Sequence, residues 1–168
     1  MSTTKYSSYL RSFIFGVEDS LVSTIGLISG VAAAGATKST VILTGVILVF
    51  VEAFSMGVGM LLSENSVQEF KSKKDVSLEN SVSTGLVMFL SYLVAGFFVV
   101  APYFITTSAI AFYSSIVVSL VLLFILGIIS AYFSQTSKIK KGLIMAFVGG
   151  LAIFVGIVVG QIINSYIL

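Results

Sequence analysis

The sequence predicts an all-α integral membrane protein whose five transmembrane helices form one domain spanning residues 1–168. Three observations predict it. First, 57% of the 168 residues are hydrophobic and only 10% charged, with a mean hydropathy of +1.12, so polar groups are too few to cover a soluble globule. Second, the apolar residues fall into five long stretches, at approximately 12–36, 40–63, 82–104, 107–133 and 142–167. A helix of about 20 residues crosses about 30 Å of hydrocarbon at about 1.5 Å per residue, and each stretch is long enough. Third, the cations gather in the links. Lys5 and Arg11 precede the first stretch, Lys71, Lys73 and Lys74 follow the second, and Lys138, Lys140 and Lys141 lie between the fourth and fifth. Five crossings put these on one side and leave only Lys38 on the other. The positive-inside rule then sets the N-terminus in the cytoplasm and the C-terminus outside. A multi-pass protein follows, of the cell membrane in a prokaryote or of a vacuolar or other organelle membrane in a eukaryote.

The first stretch, Phe13 to Ala36, contains Glu18 and Asp19. It is too long for the apolar region of a signal peptide and carries two acids, so it is expected to stay as helix 1. The short link Thr37-Lys38-Ser39 makes helices 1 and 2 an antiparallel hairpin. A polar segment, 64–81, follows helix 2; it extends that helix a turn or two into the cytoplasm and is too short to be a domain. Pro102, the sole proline, ends helix 3 or starts the tight link to helix 4. Lys138 to Gly142 turns the chain into helix 5. Gly26 and Gly30, Ser115 and Ser119, and Gly156 and Gly160 repeat small residues at a four-residue spacing, which lets helix backbones approach closely. These stripes read as packing surfaces, with a dimer contact left open. Tyr6, Tyr9, Gln161, Asn164 and Tyr166 read as interfacial anchors.

Neither cysteine nor histidine occurs. That excludes a disulfide framework, a Cys/His zinc site and a Ser-His-Asp centre. An intramembrane aspartyl pair is excluded too, because the spans hold a single Asp. No enzyme, no tightly bound cofactor and no nucleic-acid partner are expected. The partners are the lipid bilayer, divalent metal ions and a second copy of the chain.

Carboxylates at bilayer depth cost about 2.5 to 3.5 kcal/mol on insertion scales, so they usually face a bundle interior or an ion path. Glu18, Asp19 and Glu52 are the three candidates, and no Lys or Arg lies inside any span to neutralise them. If helices 1 and 2 meet the cytoplasmic face near Ser12 and Ser63, Asp19 and Met56 lie level at a depth of roughly 10 Å. Glu52 shares the Met56 face one turn deeper, whereas Glu18 points about 100° away from Asp19 and either lines the path or pairs with Arg11. A carboxylate beside a thioether suits Fe²⁺ or Mn²⁺ and discriminates against alkaline earths. Protons can replace the metal on such carboxylates, as in other intramembrane relays. Glu64, Gln68 and Glu69 read either as a cytoplasmic collecting site for cations or as a solvated helix end.

Two segments carry a resemblance. Asp19-Ser20-Leu21-Val22-Ser23-Thr24-Ile25-Gly26-Leu27-Ile28-Ser29-Gly30-Val31-Ala32-Ala33-Ala34-Gly35 is similar to the D-G-[LI]-V-S-T-x-G-L-x-x-G-V-x-x-A stretch of the vacuolar iron transporter family. Glu52-Ala53-Phe54-Ser55-Met56-Gly57-Val58-Gly59-Met60-Leu61-Leu62-Ser63 is similar to its A-x-S-M-x-x-G-x-Y-L-S stretch. The resemblance implies a two-fold homodimer with a path between protomers lined by helix 1, exporting Fe²⁺ and often Mn²⁺ from the cytosol in exchange for protons. It carries metal roles onto Asp19 and Met56; Glu52 rests on depth and facing alone. Ser20 replaces the usual Gly and Leu61 the usual aromatic. The segment after helix 2 is also too short for the large cytosolic metal-binding domain of the best-known members. A short-form transporter is therefore expected, with Glu64 and Glu69 as a reduced collecting site. Two other readings stand beside it: a non-transporting membrane scaffold or subunit, and a proton-conducting proteolipid using Glu52.

Overall fold

The computed structural model describes residues 3–166, leaving aside the side chains of 3–5 and 80. Five helices account for nearly all of it: α1 Thr3–Ala33, α2 Lys38–Ser72, α3 Glu79–Ile105, α4 Ser108–Ser134 and α5 Lys138–Tyr166. Each is long and apolar enough to cross a membrane, and the chain is a multi-pass membrane protein. Helices dominate because a lipid-embedded backbone has no water to bond to and must satisfy its own N–H and C=O groups.

Several helices run further than the apolar stretches. Once started in lipid, a helix completes its own hydrogen bonds into the polar flank and stops only where a cap takes over. α2 continues through 64–72, so the actual connection to α3 is only Lys73 to Leu78. It stops at Lys73, whose left-handed backbone (φ 54°) turns its N–H back to the Glu69 carbonyl at 2.8 Å. At the other end of α2, Thr37 Oγ1 accepts from the Thr40 N–H at 3.3 Å, an N-cap. The α1–α2 turn passes through Gly35 at φ +80°, a conformation that favours glycine. Pro102 does not end α3. It lies within the last turn, where it forfeits only its own missing N–H, and its carbonyl accepts from both the Thr106 N–H (3.1 Å) and the Thr106 hydroxyl (2.8 Å).

The helices pack as an arc. α2 lies on α3, α3 on α4 and α4 on α5, while α1 touches all four. The arc stays open between α2 and α5, and through that opening one strip of α1 faces outward. Leu21, Ile25 and Ile28 on the inner side of α1 join Val99, Leu123 and Ile153 from the surrounding helices in a buried core. The small-residue stripes of α1 and α5 turn out to face each other within one chain. A Cβ on Gly30 would sit 2.6 Å from the Gly156 carbonyl oxygen, so the two backbones are in direct contact. On α4, Ser115 donates to the Val99 carbonyl at 2.7 Å and ties α4 to α3.

One end of the bundle is polar. There the start of α1, the end of α2 and the start of α3 are linked by Arg11–Glu64 and by the Tyr9 and Ser83 hydroxyls at 2.8 Å, and the Tyr6 ring meets Phe133 at the end of α4. At the opposite end Lys38 Nζ caps α3 by donating to the Thr106 carbonyl at 2.7 Å.

Candidate metal pathway beside α1

The register of the α1–α2 hairpin decides which side chains share a level. Arg11 Nη2 meets Glu64 Oε2 at 2.9 Å at the polar end, and Ile28 packs over Gly45 toward the other. Eight residues inward from the first contact on each helix, Asp19 falls level with Met56. Nine residues back from the second contact, Asp19 falls level with Phe54, so it lies within a turn of both Met56 and Glu52. Asp19, Glu52 and Met56 are all half-buried, and the Asp19 and Glu52 carboxylates lie within repulsive range of each other. α2 is held to this position from behind: Ala53 is fully buried, and Gly57 packs against Gly85 and Phe89 of α3.

Beyond this level, along the exposed strip of α1, runs a groove of about 940 Å³ between α1 and α5. Its walls include Gly26, Leu27, Val31 and Val155, and Ser23 is the sole polar side chain among its lining residues.

Two half-buried carboxylates, a thioether within a turn of Asp19 and an open strip of α1 thus lie side by side. A family model described as the VIT family matches residues 10–77 and 67–161, most of the chain. The chain belongs to the VIT family. No curated protein matches it. Membership implies transport of iron or manganese, and VIT family members are transporters, not enzymes.

The other acids predicted for this VIT family member are dispersed. Glu18 lies within electrostatic range of Asp19 and of Lys141 at the start of α5. Arg11, the partner that one of its two readings gave it, is taken by Glu64, because α2 continues as a helix past the apolar stretch and brings Glu64 up against α1. Glu64 is only 7% exposed; besides Arg11 it accepts from the Ser8 hydroxyl at 3.1 Å and the Gln68 amide at 3.4 Å. Glu69 accepts from the Asn65 amide at 3.0 Å and the Val76 N–H at 3.5 Å, closing the end of α2. Both acids are thus occupied by protein donors, which lends the collecting-site expectation no support. Among the described residues no group of three or more acids is placed to hold a metal ion.

Sequence reasoning passed over two neighbours. Tyr92 of α3 is fully buried and lies within electrostatic range of both Asp19 and Glu52. Its hydroxyl is 2.6 Å from that of Ser23, and its carbonyl accepts from Ser20 Oγ at 2.7 Å. Ser20, the departure from the family's Gly, therefore fastens α1 to α3. A signal for Tyr92 was available: tyrosines of membrane helices concentrate at the interfaces, and one at the middle of a span calls for a partner.

Proposed function

We propose that the protein exports Fe²⁺ or Mn²⁺ from the cytosol in exchange for protons, as a homodimer whose path runs between the protomers along α1. The observation that carries this is that Asp19 lies within a turn of both Met56 and Glu52, all three half-buried, beside the strip of α1 that the arc leaves uncovered. A two-fold axis against that strip duplicates each donor, so two Asp19 carboxylates and two Met56 thioethers supply four ligands from one chain sequence. Orientation follows the cation distribution: the polar end with Arg11 and the lysine clusters faces the cytosol.

The residues divide the work by their chemistry. Asp19 supplies charge and a hard oxygen, and Met56 supplies a soft sulfur that Mg²⁺ and Ca²⁺ bind poorly. Repulsion between Asp19 and Glu52 is relieved by a divalent cation or by protons, so the two compete for the same place. An ion arriving from the cytosol displaces protons; protons entering from the far side release it. That competition is exchange, and it lets a proton gradient drive metal outward.

Competitive uptake into proteoliposomes tests the assignment. Wild-type protein is expected to take up Fe²⁺ and Mn²⁺ in preference to Mg²⁺, and Met56→Ala to lose that preference while still moving ions. Unaltered selectivity in Met56→Ala would remove the thioether from the path.

A further inference from the structure

The carboxylate level explains how an ion is captured but not what receives it next. Asp19 and Ser23 are four residues apart on α1, so they share a face, with Ser23 about 6 Å further along the axis. Beyond Ser23 the described lining of the groove offers an ion no side-chain ligand: among the described residues Ser23 is the only polar side chain that lines it. The Ser23 hydroxyl also has a fixed hydrogen-bond neighbour, Tyr92 Oη, 2.6 Å away in a fully buried position. Tyr92 in turn is anchored through its own backbone, whose carbonyl accepts from Ser20 one turn back on α1. Two contacts between the same short segments of α1 and α3 thus fix one hydroxyl pair beside the carboxylates.

We propose that the Ser23 hydroxyl is the second ligand position for the transported divalent cation, the one it occupies after leaving Asp19, and that Tyr92 is the positioning residue that aims it. This rests on the transport reading above. When Tyr92 donates to Ser23, the one remaining lone pair of Ser23 Oγ is available to a cation. A neutral oxygen binds a hard divalent ion more weakly than a carboxylate, which suits a site from which the ion must depart; conduction needs sites that are attractive enough to enter and weak enough to leave. In the proposed dimer the two Ser23 hydroxyls, one from each protomer, line the exit side of the path.

The test uses the full-length protein in proteoliposomes, with Mn²⁺ as the probe, and reads the maximal rate and the KM separately. Capture occurs at Asp19, so Ser23→Ala and Tyr92→Phe are each expected to lower the maximal rate about 5-fold, the effect of one typical hydrogen bond, and to leave KM within about 2-fold. Ser23→Thr, which keeps a hydroxyl, restores the rate. The double variant Ser23→Ala, Tyr92→Phe is no slower than either single one, because the two groups act as a unit. A wild-type rate in either single variant overturns the proposal. So does a loss that Ser23→Thr does not rescue and that tracks a fall in melting temperature, which would make the pair a packing contact. Flux that stops in Asp19→Asn but is unaffected by Ser23→Ala and Tyr92→Phe would leave the transport reading standing without this position; no Mn²⁺ flux in wild type would overturn both.

Discussion

Asp19 has Glu52 as its electrostatic neighbour on α2, so two carboxyl groups face each other within the span. Such a pair is relieved by a divalent cation or by protons. Met56→Leu keeps the volume and apolar packing but removes the sulfur. It is expected to leave thermal stability within about 1.5 kcal/mol of wild type while discrimination against Mg²⁺ falls, read by competition uptake. Arg11 makes a contrasting case. Arg11→Ala leaves the buried Glu64 with hydroxyl and amide donors only, and is expected to cost about 1 to 3 kcal/mol, read as a lower melting temperature in detergent. The level of Asp19 with Met56 was legible by counting along two helices from one face. The partner of Arg11 was not, because it depends on how far α2 continues beyond its apolar stretch. Tyr92 escaped for a similar reason: its meaning depends on α3 meeting α1, a contact between segments far apart in sequence.

At the scale of elements, the backbone contact between α1 and α5 holds the front of the molecule. Gly30→Val places a branched side chain where the Gly156 carbonyl already sits, and overpacking of this kind costs about 1 to 3 kcal/mol. The expected outcome is a lower melting temperature and slower transport together, since the groove wall shifts. The same exchange at Gly150, which has open space around it, is expected to be tolerated. The number of helices and the small-residue stripes were legible because hydropathy and spacing are local properties. The pairing of the stripes was not, because each stripe fits any other small-residue face. The span read for helix 3, 82–104, already ran through Pro102; what the sequence did not show is the carbonyl that Thr106 bonds twice at its end.

For the whole molecule, the consequential feature is the opening of the arc between α2 and α5, which leaves one strip of the central helix uncovered. In the proposed homodimer a second copy applied there would close the arc and enclose the carboxylates. The natural absence of cysteine makes this simple to examine: Leu27, exposed in the groove, is expected as Leu27→Cys to form a disulfide-linked dimer in the membrane, whereas Val117→Cys on the exposed side of α4 remains monomeric under the same oxidation. Composition and charge distribution made the membrane class legible, but the arc was not, because the order of helices around α1 is set by tertiary packing. The central claim is that Asp19 is the carboxylate through which metal and protons exchange, and one flux assay tests it most directly. Proteoliposomes with an opposing pH gradient are expected to accumulate Fe²⁺ or Mn²⁺ through wild-type protein and not through Asp19→Asn. Equal accumulation by the two proteins would contradict the account.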